Sequence, residues 1–214
     1  MTSGSPLRAP AIGAAVLAVV IAGAGGLLLG DRLASSTPDA DSVDAGFARD
    51  MQIHHAQAVE MSLIVRDGTR DEGVRTLAYD ILTSQQQQRG QMFAWLEEWS
   101  LPQTSTDPLM EWMGGTDMSG MQVGGGSEGD AVMPGMATTE ELDELREAPG
   151  VEAEIRYLEL MTVHHRAGVQ MATYAADHAR EQQVVDLAEA MRTGQASEIS
   201  LMEDMLEARG AEPV

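Results

Sequence analysis

Two copies of the run Met-x-x-His-His hold the residues most able to do chemistry. Met51, His54 and His55 form the first copy and Met161, His164 and His165 the second, with Met61 and Met171 seven residues past the leading histidine of each pair. On a helix turning about 100° per residue, positions three and four ahead lie on one face, so one thioether stacks beneath both imidazoles and the second returns to the same stripe two turns on. Asp44, seven residues before Met51, shares that side, and Glu154 occupies the matching place ahead of Met161.

Thioether sulfur prefers Cu(I), imidazole accepts Cu(I), Cu(II) or zinc, and a carboxylate can hold an imidazole in orientation. Cys is absent, which excludes disulfides, thiolate zinc sites, iron-sulfur clusters and cysteine nucleophiles. Soft-metal chemistry therefore falls to methionine. The residue types predict a copper site, with Cu(I) favoured over Cu(II), whose ligands are His54, His55, His164, His165, Met51, Met61, Met161 and Met171, with Asp44 and Glu154 as accessory carboxylates. The competing reading makes the methionines core filler and the histidines buried polar groups neutralised by the two acids.

Six further methionines, Met110, Met113, Met118, Met121, Met133 and Met136, lie between the two copies in a Gly-rich stretch. Such composition predicts a flexible crossover loop. A solvated loop has no core to fill, so these thioethers either collect Cu(I) or dock on the body of the protein; Met133 and Met136 are the accessory candidates.

The elements that position these groups follow from an internal repeat. Residues 47–99 align without a gap on residues 157–209 at an offset of 110, with 15 identities in 53; self-similarity at a fixed offset marks a duplicated structural unit. Within each copy apolar residues recur at three and four, as at Leu77, Ala78, Ile81, Met92, Trp95 and Leu96, and a break falls near Asp67-Gly68 and near Asp177-His178. Each copy reads as a helical hairpin. Two hairpins with one apolar face apiece bury those faces against each other, which predicts an all-α four-helix bundle. Hairpin 1 spans about 40–101, the crossover about 102–137 and hairpin 2 about 138–210, within a bundle domain at 37–214. Thr138 or Thr139 caps a short acidic helix that Pro149-Gly150 ends. His178, with Gly68 at its matching place, reads as a solvated helix-end residue.

The segment 1–36 is of another kind. From Ala9 to Gly30 it carries no charged residue, enough for a helix of roughly 33 Å that spans a bilayer's hydrocarbon core. Arg8 precedes it and Asp31, Asp39, Asp41 and Asp44 follow, so the positive-inside rule places the body outside the cytoplasm. The expectation is a cell-membrane protein with a single N-terminal anchor, or a secreted one if the signal is cleaved. The net charge of -21, with 34 acidic against 13 basic residues, repels phosphate backbones and excludes nucleic acid as a partner. Metal cations are the natural small partners, and the bundle is free to form a homo-oligomer.

The series Asp44, Phe47, Met51, His54-His55, Ala58, Met61, then Met133-Pro-Gly-Met136, then Met161, His164-His165, Met171 resembles the bacterial family known as domain of unknown function 305, over about residues 40–209. The resemblance implies a ferritin-like bundle, export and, for some members, periplasmic copper binding and copper tolerance. Ala153-Glu154 stands where the family has Phe-Asp and Gly168 where it has Ala, so the two copies are expected to differ in affinity. The functional expectation is copper sequestration or tolerance. The alternatives are a metal-free envelope interaction module and a di-metal redox enzyme on the same bundle. The enzyme reading lacks the Glu-x-x-His motifs of that chemistry, because Met51 and Met161 stand in the place of the glutamates.

Overall fold

Four long helices form where the repeated apolar stripes predict them. The computed structural model describes residues 37–114 and 133–214. Helix α1 runs Val43–Gly68, α2 Glu72–Glu98, α3 Thr139–Glu147, α4 Gly150–His178 and α5 Gln182–Glu207, with one 3-10 turn at Glu111–Met113. Among the described residues there is no strand. Starts are set locally: Ser42 Oγ accepts from the Ala45 amide at 3.2 Å and Asp71 Oδ1 from the Val74 amide at 2.9 Å. Thr138 and Glu141 form a reciprocal capping box at α3, so Thr138 is the cap. His178 is exposed at the end of α4, where Nδ1 bonds the Tyr174 carbonyl at 2.9 Å.

Helix α1 packs along α2 and α4 along α5, while α1 and α4 form the seam between the hairpins. Burial reflects this order. Phe47, Met51, Met61, Tyr157, Met161 and Met171 on the seam helices are all 0% exposed, whereas α2 and α5 bury single stripes such as Val74, Ala78, Ile81, Met92 and Val184, Ala188, Met202, Leu206. The result is a ferritin-like four-helix bundle within the compact unit Pro38–Val214.

The core divides in two. One cluster holds Met51 and Met171 with Phe47, Met92, Leu96 and Met191; the other holds Met61 and Met161 with Tyr157, Ile81, Met202 and Leu206. That pairing makes α1 and α4 antiparallel, and the four paired histidines fall between the clusters.

Asp44 and Glu154 close the ends of the bundle and are not accessory to the histidines, contrary to the sequence expectation. Asp44, buried at the start of α1, accepts from the amides of Arg180 and Glu181 at 3.1 and 2.9 Å, in the turn between α4 and α5. Glu154, buried at the start of α4, accepts from Thr69 Oγ1 and, at 2.9 Å, from Arg209 Nε. The physical reason is distance: ten residues of helix separate Asp44 from His54, roughly 15 Å. Each acid instead ties one hairpin to the turn of the other.

Over its described residues the crossover is not the flexible loop its composition predicts, and its methionines follow the docked alternative. It is docked on the bundle, with Met110, Trp112, Met113 and Met133 buried. Buried Asp50 accepts from the Met110 amide at 2.7 Å and from Trp112 Nε1 at 2.9 Å; burial raises its pKa against those two bonds. Trp112 lies edge-on to Phe47 and Tyr174 at 5.9 and 5.7 Å, in a space that exists because residue 46 is glycine: a Cβ there would collide with the indole. On the other side of the crossover Gln57 exchanges two bonds with the Ala137 backbone, at 2.7 and 2.6 Å. Met118, Met121 and the expected N-terminal hydrophobic helix lie outside the described residues. Among those described, no helix is long and apolar enough to cross a membrane.

Candidate metal centre

The antiparallel seam brings the two His pairs together at mid-bundle. His54 and His164 stack with ring centroids 3.7 Å apart and planes 28° from parallel. His55 and His165 sit 6.4 and 6.2 Å from their respective chain neighbours. None of the four is more than 1% exposed.

Hydrogen bonds occupy Nε2 in three of the four rings. His164 Nε2 donates to the His54 carbonyl at 3.0 Å. His55 Nε2 donates to Gln88 Oε1 at 2.7 Å and His165 Nε2 to Glu198 Oε2 at 2.8 Å. Carbonyl and carboxylate oxygens only accept, so Nε2 carries the hydrogen in each of these three rings, and Nδ1 has a lone pair to offer whenever the ring is neutral. Metal-binding histidines are held in this way, by a second bond on the far nitrogen.

The other nitrogens are buried without partners: Nδ1 of His55, His164 and His165, and both ring nitrogens of His54. A buried donor or acceptor left alone costs about 1–3 kcal/mol, so five nitrogens in one layer weigh heavily against a domain stability of roughly 5–15 kcal/mol. They are also the atoms a metal ion would use. Burial, with a smaller contribution from neighbouring imidazoles, holds His54 and His164 well below the usual imidazole range. Burial holds His55 at about 3. A metal needs such neutral rings.

The thioethers flank this layer on both sides. Met51 and Met161 each lie one turn before the leading histidine; Met171 joins Met51 in one cluster and Met61 joins Met161 in the other. The first cluster also receives Met133, with Met136 packed against it. Their turn presses on α4: Gly135 has φ +77°, and a Cβ there would collide with Ala167 and lie 3.5 Å from the His164 Cα. Among the described residues no three His, Asp or Glu side chains gather as a ready-made cluster. The added donors within a helical turn are sulfur.

Sequence reasoning missed the second helices' share. Gln85 and Gln195 are buried at 2% and 4% exposure, and both amide atoms of Gln85 and Oε1 of Gln195 have no partner. The Gln195 amide lies where a Cβ on Gly168 would be, so that glycine makes room for it. The signal was present: Gln85 and Gln195 are identical polar residues in register on otherwise apolar stripes, and Gln88 and Glu198 follow each of them by three.

Among solved structures the chain is similar to a Streptomyces coelicolor protein described as secreted, at 49% identity and TM-score 0.73, covering 82% of this chain and 99% of that one. It is similar to a domain fragment from Deinococcus radiodurans at 29% identity and TM-score 0.61, covering 78% and 96%. It shares its fold with CopM, solved in a Cu(I)-bound form (18% identity, TM-score 0.56, covering 77% and 96%) and a Cu(II)-bound form (21%, 0.60, covering 78% and 97%). No curated protein matches. The model of the domain of unknown function DUF305 matches residues 44–206, and the chain belongs to that family.

Proposed function

We propose that this protein binds copper outside the cytoplasm, sequestering it or conferring copper tolerance, with the segment 1–36 as export signal or membrane anchor. The observation that carries the reading is the layer of five buried, unpartnered imidazole nitrogens, in which three rings have Nε2 bonded and Nδ1 without a partner. His54, His55, His164 and His165 are the main ligands, and Met51, Met61, Met161 and Met171 supply soft donors on either side. Met133 and Met136 are accessory. Two further findings support it: the shared fold of CopM, which is solved with Cu(I) and with Cu(II), and a family relative described as secreted.

The test is a competition titration of the full chain with a coloured Cu(I) chelator under reductant, beside the variant with all four histidines changed to Ala. Tight binding lost in the variant, with helicity retained by circular dichroism, is the expected result. Equal affinity in both overturns the reading. A melting temperature unmoved by Cu(I), Ag(I), Cu(II) or Zn(II) would favour the metal-free envelope module instead, since a ligand that binds only the folded state raises it.

A further inference from the structure

The two halves of the histidine layer are built alike but charged differently. His55 and Gln88 are 33 residues apart, as are His165 and Glu198, and both bonds run from Nε2 to a side-chain oxygen, at 2.7 and 2.8 Å. The acceptor is a neutral amide in the first half and a carboxylate in the second. The next residue widens the difference, being Arg89 in the first half and Ile199 in the second.

Arg89 is half-buried and its guanidinium donates to the neutral Gln86 amide at 2.9 Å. In the second half the residue after His165 is Arg166, whose charge is paired with Glu203 at 2.7 Å. The first half therefore adds positive charge to a neutral donor set, and the second adds a carboxylate to the same donors.

A buried cation is stabilised by opposite charge and destabilised by like charge, and the effect grows with the charge of the ion. A carboxylate accepting from one nitrogen of an imidazole also makes the other nitrogen a stronger donor. Neutral soft donors suit a monovalent ion, and added negative charge suits a divalent one.

We infer that the two halves stabilise different charge states of copper: His165 held by Glu198 forms the half that takes Cu(II), and His55 held by Gln88 beside Arg89 the half that takes Cu(I). This rests on the copper reading above. Glu198 and Gln88 act through the imidazoles as positioning residues.

The experiment uses the full chain, Glu198→Gln and Gln88→Glu, each checked by its melting curve. Cu(II) affinity is read by competition with glycine, Cu(I) affinity by competition with a coloured chelator, and the Cu(II) environment by electron paramagnetic resonance. Glu198→Gln is expected to weaken Cu(II) binding by about 10-fold to 100-fold, the usual effect of losing such a partner. Cu(I) affinity should change by less than about threefold, and the resonance spectrum should change. Gln88→Glu is expected to strengthen Cu(II) binding and add a second resonance signal. Equal shifts for both ions, or none, in a chain that binds copper would overturn this inference alone. Failure of the unmodified chain to bind either ion would overturn the copper reading and this inference with it.

Discussion

His164 stacks on His54 and donates its Nε2 proton to the carbonyl of that same residue, 110 positions earlier in the chain. One residue thus serves as ring partner and backbone acceptor at once, which sets the register of α1 against α4. A slide by one turn would carry Met51 or Ala58 into the place of the imidazole. The register that joins the histidines also sorts the thioethers into a pair above and a pair below.

Acid should loosen the metal-free bundle. The ordinary imidazole pKa is near 6.5, whereas His55 is held at about 3 and His54 and His164 also lie well below the ordinary value. Between those limits the unfolded chain takes up protons that the folded chain refuses, so stability is full above about pH 6.5 and falls as pH drops towards 3. Each ring contributes a slope of about 1.4 kcal/mol per pH unit. Asp50, whose pKa is raised by burial, acts in the opposite sense but is one group against three. Denaturant unfolding at pH 7 and pH 5 with a chelator present should show a loss of at least about 3 kcal/mol; a flat profile would mean that the imidazoles are solvated.

Asp44→Ala separates structural from metal-directed roles. It strands the Arg180 and Glu181 amides that Asp44 accepts from, a loss of about 1–3 kcal/mol. Copper affinity should stay within about twofold, because the carboxylate stands roughly 15 Å from the histidine layer. Calorimetric melting and the chelator titration read the two effects separately, and a tenfold loss of copper would restore Asp44 to the site.

Gly135→Ala should undock the Met133–Met136 turn. The residue has φ +77°, and the new Cβ would collide with Ala167, so a loss of at least about 2 kcal/mol is expected. Met133, 1% exposed, should then oxidise with peroxide several times faster by mass spectrometry. An unchanged rate would show that the turn tolerates the methyl group.

Gln85→Leu should leave the metal-free protein as stable as before or up to about 1 kcal/mol more so. Both amide atoms of Gln85 are buried without partners, and replacing such a group by an apolar one removes a desolvation cost. A loss above about 1 kcal/mol in urea unfolding would reveal a partner for the amide.

Much of this was readable in the sequence. Periodicity placed the four helices, Asp67-Gly68 and Asp177-His178 marked the breaks within the two hairpins, and Thr138 was one of the two cap candidates. The His pairs could be matched because an offset of 110 is visible in one dimension. The accessory acids were misread because Asp44 and Met51 share a face on one helix, and helical arithmetic does not include the turn of another hairpin that reaches the end of that face. The crossover was read as solvated from its glycines. Two glycines admit its contacts with the bundle, Gly46 on α1 making room for Trp112 and Gly135 in the crossover turn making room for α4. Gln88 and Glu198 escaped notice because their partners lie on different helices.

The seam between α1 and α4 has the form of a self-complementary interface, in which a residue meets its own counterpart across a two-fold axis, as in a homodimer. A true homodimer must make every substitution twice. Joining the halves in one chain removes that constraint: places that the repeat makes equivalent hold Gln88 and Glu198, Phe47 and Tyr157, and Ala58 and Gly168, differences that two identical subunits could not have. The covalent link thus lets one interface hold two dissimilar chemistries.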